Sequence, residues 1–188
     1  MLKNDTNERK WDIIKSEYLI RRGPWMTARC DTVRMPNGTV IPEFYVLEYP
    51  DWVNVIAITQ DEKFVMIRQY RHGIRQTRYE LCAGVIDAGE TPLEAARREL
   101  LEETGYGNGE WKEISVISAN PSVNNNYAHC FVATGVDQVA SQHLEKSEDI
   151  TVHLLTADEV RTLLVNDEIK QALMAAPLWK YFAENNLL

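Results

Sequence analysis

Three glutamates, Glu99, Glu102 and Glu103, are spaced so that a helix would carry them on one side. Like charges four residues apart, as at Glu99 and Glu103, destabilise an isolated helix by roughly a few tenths of a kcal/mol. Glu102 and Glu103 would also lie near a helix C-terminus, where the helix dipole disfavours anions. A divalent cation would relieve both costs, and carboxylate oxygens suit Mg²⁺, with Mn²⁺ as a substitute. The competing interpretation is a solvated acidic helix face.

The residues around these glutamates predict the helix itself, from about Pro92 to Thr104. Thr91 can cap its N-terminus, proline suits the first helical position, and Glu94 completes a capping box. Gly105 fits the left-handed residue that ends a helix. The apolar residues of the opposite side, which we expect to pack on a sheet, are Leu93, Ala96 and Leu100.

The wider spacing of this segment resembles the Nudix box. The matching positions are Gly84, Glu90, Arg98, Glu99, Leu100, Glu102, Glu103 and Gly105. Tyr106 is the departure, because the family usually has an aliphatic residue there. The resemblance extends over most of the chain. It implies the Nudix fold of the α/β (α+β) class, with a mixed sheet sandwiched between helices.

In the Nudix family the glutamates of the box hold the metal ions that bind a pyrophosphate. The resemblance implies that Glu99 and Glu103 bind Mg²⁺, with Glu102 as a third ligand and the backbone carbonyl of Ala83 as a fourth. It also implies that Arg98 assists catalysis by orienting the glutamates through charge-assisted hydrogen bonds.

Two segments before the helix indicate a substrate class. Arg68-Gln69-Tyr70-Arg71 and Glu80-Leu81-Cys82-Ala83-Gly84 resemble the branch of ADP-ribose pyrophosphatases and nucleoside-diphosphate-sugar hydrolases, although Cys82 replaces a frequent proline. This implies hydrolysis of a nucleoside diphosphate sugar, such as ADP-ribose to AMP and ribose 5-phosphate. The substrate-binding candidates are Arg71, as a phosphate contact, with Arg68 and Glu80.

Two alternatives to this substrate class remain open. The same box could cleave nucleoside triphosphates or dinucleoside polyphosphates. A module of another class would sense a nucleotide sugar without catalysis, but such modules usually lose glutamates of the box and carry a DNA-binding extension.

Hydrolysis also needs a base that accepts a proton from water. In this branch an acidic loop before a late strand supplies the base, and Glu145–Asp149 is such a loop. Glu148 is the candidate, because Glu148-Asp149-Ile150 matches the branch. Glu145 is the alternative, since Lys146 occupies a position that is commonly acidic. A solvated loop without a catalytic part is the third interpretation.

The N-terminal region predicts an antiparallel hairpin. Met26–Met35 and Thr39–Tyr49 are rich in β-branched and aromatic residues and flank an Asn37-Gly38 turn. By resemblance to the branch, this region joins two protomers into a homodimer, and Trp25 stacks on the base of the partner's substrate. Packing within the hairpin is the alternative for Trp25.

The rest of the pattern predicts four further strands and two further helices. The strands are Val53–Thr59, Phe64–Gln69, Ile114–Ile117 and Cys130–Ala133. The helices are Ala157–Val165 and Ile169–Glu184.

Length, charge and cysteine content limit the classes of protein to which this chain can belong. The 188 residues divide into an N-terminal region at 1–49 and a Nudix hydrolase domain at 50–188. A net charge of −8 argues against nucleic acid as a partner. The sequence lacks a secretory signal, a membrane span and a disulfide pattern, so we expect a cytoplasmic protein without membrane contact.

Overall fold

The computed structural model describes residues 9–188. Its residues up to Tyr49, together with Asn120–Asn126, form one compact unit, and Pro50–Ala119 with Tyr127–Leu188 form a second. The first eight residues of the predicted region 1–49 lie outside the described residues. None of the helices within residues 9–188 is long and apolar enough to cross a membrane.

The N-terminal unit contains an antiparallel sheet of three strands: β1 (Asp12–Arg22), β2 (Met26–Arg34) and β3 (Val40–Glu48). The predicted hairpin is confirmed, because β2 pairs with β3. Gly38 adopts a φ of +87°, and the Asn37 side chain accepts a hydrogen bond from the backbone of Thr39. These two residues therefore form the turn that the Asn-Gly pair predicts.

Strand β1 is an addition to the predicted hairpin. Its pairing with β2 shifts register between Ile13 and Lys15 and again between Tyr18 and Ile20. A bulge reverses the face to which the following residues point, so apolar and polar residues do not alternate regularly along the strand. All residues of β1 are exposed. The sequence of this strand therefore lacks the alternation of buried apolar and exposed polar residues by which a strand is predicted.

The second unit contains a seven-stranded mixed sheet and three helices. The strands are β4 (Trp52–Thr59), β5 (Phe64–Arg71), β6 (Gln76–Glu80), β7 (Cys82–Val85), β8 (Tyr106–Ile117), β9 (Ala128–Gln138) and β10 (Ile150–Leu155). The helices are α1 (Pro92–Thr104), α2 (Ala157–Val165) and α3 (Ala172–Glu184). The order is β10-β5-β4-β9-β8, with β6 beside β5, β7 beside β4, and β4 parallel to β9.

Hydrophobic clusters cover both faces of this sheet. On one face, Ala96 and Leu100 of α1 pack in a cluster with Val55 of β4. On the other, Phe182 of α3 belongs to a cluster with Ile56, the next residue of β4. Because adjacent strand residues point to opposite faces, β4 is buried on both sides. The predicted mixed sheet between helices is confirmed.

The element bounds follow the sequence pattern most closely in the helices. Helices α1 and α2 have the predicted bounds, whereas α3 begins at Ala172 rather than Ile169. The predicted strand Ile114–Ile117 is the end of the longer β8. The first part of β8 escapes prediction because Asn108 and Gly109 have positive φ and belong to residue types that favour turns.

Candidate active site

Helix α1 is fixed at both ends by local hydrogen bonds. Thr91 Oγ1 accepts from the backbone of Glu94, whose Oε2 accepts in return from the backbone of Thr91, which completes the capping box. At the C-terminus, Gly105 has a φ of +76° and donates its N–H to the carbonyl of Leu101. The positions of the glutamates on α1 are therefore set by both caps.

The three glutamates of α1 differ in burial. Glu103 is 3% exposed, and its Oε2 accepts a hydrogen bond of 3.0 Å from the Ala83 backbone N–H. The Glu99 side chain is 12% exposed and that of Glu102 is 42% exposed. The expectation that all three share a side separate from the apolar stripe is wrong. Glu103 is seven residues, about two helical turns, after Ala96, so its side chain lies on the same buried side of the helix.

The Glu99 carboxylate lies directly against Gly84. A Cβ atom on Gly84 would lie 2.0 Å from the Glu99 carboxyl carbon, so only glycine leaves room for it. Ala83 and Gly84 are consecutive residues of β7. Glu103 and Glu99 therefore meet adjacent backbone positions of the same strand.

Burial raises the pKa of Glu103 to about 8; hydrogen bonds from Cys82 and Ala83 oppose the shift, and the charges of Glu99 and Glu148 add to it. Burial also raises the pKa of Glu99, while hydrogen bonding to Arg98 acts in the opposite direction. The site thus concentrates negative charge that a divalent cation would stabilise.

The donors suit magnesium, although among residues 9–188 no three or more His, Cys, Asp or Glu side chains are grouped so as to hold a metal ion. Mg²⁺ does not need such a group, because it keeps several waters and binds through one or two carboxylates together with substrate phosphates. Glu99 and Glu103 are two carboxylates of this kind. These carboxylate oxygens therefore fit a magnesium ion.

Arg98 connects the helix to the loop before it. Its Nε and Nη2 donate to the two oxygens of Glu90 at 2.7 and 2.9 Å, and Nη2 also donates to the carbonyl of Val85 at 2.9 Å. Its Nη1 donates to Glu99 at 2.8 Å and to Glu102 at 3.2 Å. Hydrogen bonding to Glu90 is the largest cause that raises the pKa of Arg98, so the side chain stays charged.

Arg71 of β5 pairs with the buried Glu80 of β6. Arg71 Nε donates to Glu80 Oε1 at 2.9 Å, and Nη2 donates to Oε2 at 2.5 Å. Glu80 is 2% exposed, and its Oε2 also accepts from Gln69 at 3.4 Å. Arg71 lies on the same face of β5 as Val65, which packs in the cluster with α1, so the pair is on the side of the sheet that carries the glutamates.

The structure separates Arg68 from this group. Met66 packs in the cluster with α2 and α3, and Arg68 is two residues further along β5, so it points to the same face. Its guanidinium lies 5.2 Å from the centre of the Tyr79 ring. Trp25, at the turn between β1 and β2, is 61% exposed in the N-terminal unit.

A loop that follows β9 contacts the end of α1. The His143 backbone donates to the carbonyl of Glu102 at 2.8 Å, and the Gln142 side chain donates to the carbonyl of Glu103 at 2.7 Å. The loop continues to Glu148, whose carboxylate accepts from the Glu145 backbone at 2.8 Å. Burial is the main cause that raises the pKa of Glu99 and of Glu103, and the charge of Glu148 raises both pKa values further.

Two residues of the site were absent from the sequence-based candidates. Cys82 is fully buried and hydrogen-bonds the Glu103 carboxylate. Its signal in the sequence is its place in the segment before Gly84, where it replaces a frequent proline. Gln142 carries no local signal, because its contact with α1 joins residues 39 positions apart.

Comparisons with known proteins agree with this geometry. Residues 49–176 match the NUDIX domain, and residues 11–47 match the nucleoside diphosphate sugar hydrolase N-terminal domain. A methanol dehydrogenase activator of Bacillus methanolicus is 33% identical over 78% of each chain. An ADP-ribose pyrophosphatase of Mycobacterium tuberculosis is 30% identical over 90% of this chain and 82% of its own.

A solved structure of an ADP compounds hydrolase shows the same fold. Its TM-score is 0.81 and its identity is 22%, over 96% of this chain and 98% of that chain. The family match covers more than half of the chain, and the positions of the box are present at Gly84–Gly105. The chain belongs to the Nudix family of pyrophosphohydrolases.

Proposed function

We propose that this protein hydrolyses the pyrophosphate bond of a nucleoside diphosphate sugar in a magnesium-dependent reaction, with ADP-ribose as the substrate. The observation that carries the proposal is the placement of two carboxylates, the partly buried Glu99 and the buried Glu103, against Gly84 and Ala83. The name of the Mycobacterium tuberculosis relative supports the choice of ADP-ribose.

Glu99 and Glu103 would hold the magnesium ion, with Glu102 as a further carboxylate and the Ala83 carbonyl as a neutral donor. Bound magnesium supplies polarisation of the phosphoryl oxygens and neutralises charge that develops on them. The Arg98 contacts with Glu90, Glu99 and Glu102 keep the carboxylates in place.

Glu148 is our proposed base, because Glu148-Asp149-Ile150 matches the branch and the loop that leads to it contacts the end of α1. A water oxygen attacks one phosphorus, the bond from that phosphorus to the bridging oxygen breaks, and the water proton passes to Glu148. With ADP-ribose the products are AMP and ribose 5-phosphate. Arg71 binds a phosphate oxygen of the substrate through its guanidinium.

We also propose a homodimer formed through the N-terminal sheet. Large apolar side chains of this unit are exposed, among them Ile13, Leu19 and Trp25. Exposed apolar side chains become buried when they meet a partner, and a second copy of the chain is the partner that the family relation supports. A cytoplasmic location, likewise proposed, fits cysteines that are all free.

A substrate panel tests the proposed function. We expect kcat/KM to be highest for ADP-ribose among ADP-ribose, UDP- and GDP-sugars, ATP and diadenosine polyphosphates, each with Mg²⁺. A preference for ATP or a polyphosphate would contradict the substrate class. Binding of ADP-ribose without hydrolysis, in either Mg²⁺ or Mn²⁺, would indicate the noncatalytic module instead.

The variant Glu103→Gln gives the matched test of the metal site. It keeps the shape of the side chain and removes its charge, so we expect turnover to fall by roughly a hundredfold or more while the protein remains folded. Wild-type turnover by folded Glu103→Gln on every diphosphate in the panel would contradict the proposed function.

A further inference from the structure

We propose that Glu80 is a positioning residue for the reaction, because it fixes one edge of the Arg71 guanidinium so that the other edge can bind a substrate phosphate. This inference rests on the proposed function and assigns Glu80 a part different from direct substrate contact. Glu80 acts through Arg71, and the substrate meets only the arginine.

The pairing of strands β5 and β6 brings the two residues together. Glu80 is opposite Ile67, and Arg71 is four residues further along β5. Positions that differ by an even number along a strand point to the same face, so Arg71 and Gln69 lie on the face of Glu80. Both donate to its carboxylate, Arg71 through Nε and Nη2 and Gln69 through Nε2.

The burial of Glu80 excludes it as a direct ligand of the substrate. It is 2% exposed, and both of its oxygens already accept hydrogen bonds from Arg71. A carboxylate would also repel a phosphate. The same burial makes its hold on Arg71 firm, because a buried carboxylate requires its charged partner.

The free edge of Arg71 points away from this pair. A guanidinium has five N–H donors, and Glu80 engages Nε and Nη2. Among residues 9–188, none accepts a hydrogen bond from Arg71 Nη1 in this structure. The Arg71 side chain is 41% exposed, and it lies on the same face of β5 as Val65, which packs in the cluster with α1. The exposed part of this side chain is therefore on the side of the sheet that carries Glu99 and Glu103.

A purely structural ion pair would behave differently from a positioning pair. Loss of stability reduces the amount of folded enzyme and so reduces the apparent kcat, but it leaves the KM of the remaining folded enzyme unchanged. Loss of positioning changes the affinity of each folded molecule for phosphate, and so raises KM. The change in KM, compared with the change in apparent kcat, therefore separates a positioning pair from a purely structural ion pair.

The experiment compares Glu80→Gln with Glu168→Gln. Glu168 accepts a hydrogen bond from Arg78 of β6, so the control removes the same charge from another arginine pair. We expect Glu80→Gln to raise the KM for ADP-ribose roughly tenfold with kcat within about threefold of wild type, and Glu168→Gln to leave KM unchanged. An unchanged KM for folded Glu80→Gln would overturn the proposal.

If Glu80→Gln does not fold, Glu80→Asp replaces it, because the shorter side chain keeps the buried charge and draws the carboxylate back from Arg71; we expect a raised KM, and an unchanged KM would overturn the proposal. A further variant addresses the arginine itself. Arg71→Lys retains the charge and loses the planar fork, so it should raise KM by a similar factor. The double variant Arg71→Lys, Glu80→Gln should have the KM of Arg71→Lys alone, because Glu80 acts through Arg71. Multiplication of the two effects, or an unchanged KM in Arg71→Lys, would contradict the proposal.

Calorimetric binding of ADP-ribose separates this inference from the proposed function. If wild type binds ADP-ribose without hydrolysing it, and Glu80→Gln weakens binding roughly tenfold, the proposed function fails and the positioning role stands. If wild type hydrolyses ADP-ribose but Glu80→Gln binds it equally well, only the positioning role fails. If wild type neither binds nor hydrolyses ADP-ribose, both are wrong.

Discussion

The carboxyl group of Glu99 fills the space that a side chain on Gly84 would occupy. A Cβ atom at Gly84 would lie 2.0 Å from the Glu99 carboxyl carbon and 2.0 and 2.4 Å from its two oxygens. Gly84 is followed by the loop that leads into α1, and Glu99 is in the middle of that helix. The glycine therefore leaves the space in which the Glu99 carboxylate lies against the strand before the helix.

The first prediction follows from this contact. In Gly84→Ala the new methyl group meets only the end of a flexible side chain, so Glu99 can swing away and the protein can fold. We expect a change in Tm of less than about 3 °C and a loss of roughly a hundredfold in kcat with Mg²⁺. Gly73→Ala is the control, since a Cβ there meets nothing within 4 Å. A fully active, folded Gly84→Ala would show that Glu99 need not occupy this place.

A second prediction concerns pH in the absence of metal. The folded-state pKa of Glu103 is about 8, whereas an exposed glutamate titrates near 4.3. The folded protein thus holds a proton that the unfolded chain has lost, so this contribution to stability is complete below about pH 4.3 and is lost as the pH rises through about 8. The raised pKa of Glu99 acts in the same direction.

Thermal unfolding in EDTA measures this effect. We expect the Tm of the wild type, relative to Glu103→Gln, to fall by roughly 5 °C between about pH 5 and pH 8. Saturating Mg²⁺ should abolish the fall, because the cation takes the place of the proton. A constant difference in EDTA over this range would show that Glu103 is already ionised at pH 5.

The third prediction tests the arginine that holds the carboxylates. Arg98→Lys retains the charge but cannot contact Glu90, Glu99 and the Val85 carbonyl together. We expect the Mg²⁺ concentration that gives half-maximal activity to rise by roughly 10- to 100-fold. Arg97→Lys, a change at the neighbouring exposed position, is the control. Equal magnesium dependence in the two variants would contradict the role of Arg98.

The fourth prediction separates the two candidates for the base. Glu148→Gln should lower kcat by roughly 10²- to 10⁴-fold, because it removes the proton acceptor. Glu145→Gln should lower kcat by less than about tenfold, since the contact that holds Glu148 uses the Glu145 backbone, which the substitution keeps. Measurement of kcat at saturating ADP-ribose and Mg²⁺ decides between them. The reverse order of effects would assign the base to Glu145.

The fifth prediction concerns the proposed homodimer. Leu19 on β1 is 53% exposed, and a glutamate there would place a charge on the apolar surface. We expect Leu19→Glu to be a monomer by light scattering at a concentration where wild type is a dimer. Val165→Glu is the control, because Val165 is also exposed, at 63%, but lies on α2. A dimeric Leu19→Glu would move the interface away from this part of the sheet.

The sequence alone determined the parts of this protein that depend on local interactions. The caps at Thr91 and Gly105 predicted the bounds of α1, because each contacts backbone groups within one helical turn. The Asn37-Gly38 pair predicted the β2–β3 hairpin for the same reason. The spacing of the box glutamates predicted the family and the candidate metal site.

The tertiary structure decided which candidates lie together, because those contacts join residues that are distant in the sequence. Arg68 and Arg71 are three residues apart, and this odd separation along β5 places them on opposite faces of the sheet. The predicted strand ends at Gln69, so it does not include Arg71 and cannot assign Arg71 to a face. The contact of the loop after β9 with the end of α1 joins Gln142 and His143 to carbonyl groups of the helix, and no local pattern in the sequence predicts it. The contact between Arg71 and Glu80 likewise depends on the pairing of β5 with β6, which brings the guanidinium of Arg71 to the buried carboxylate of Glu80.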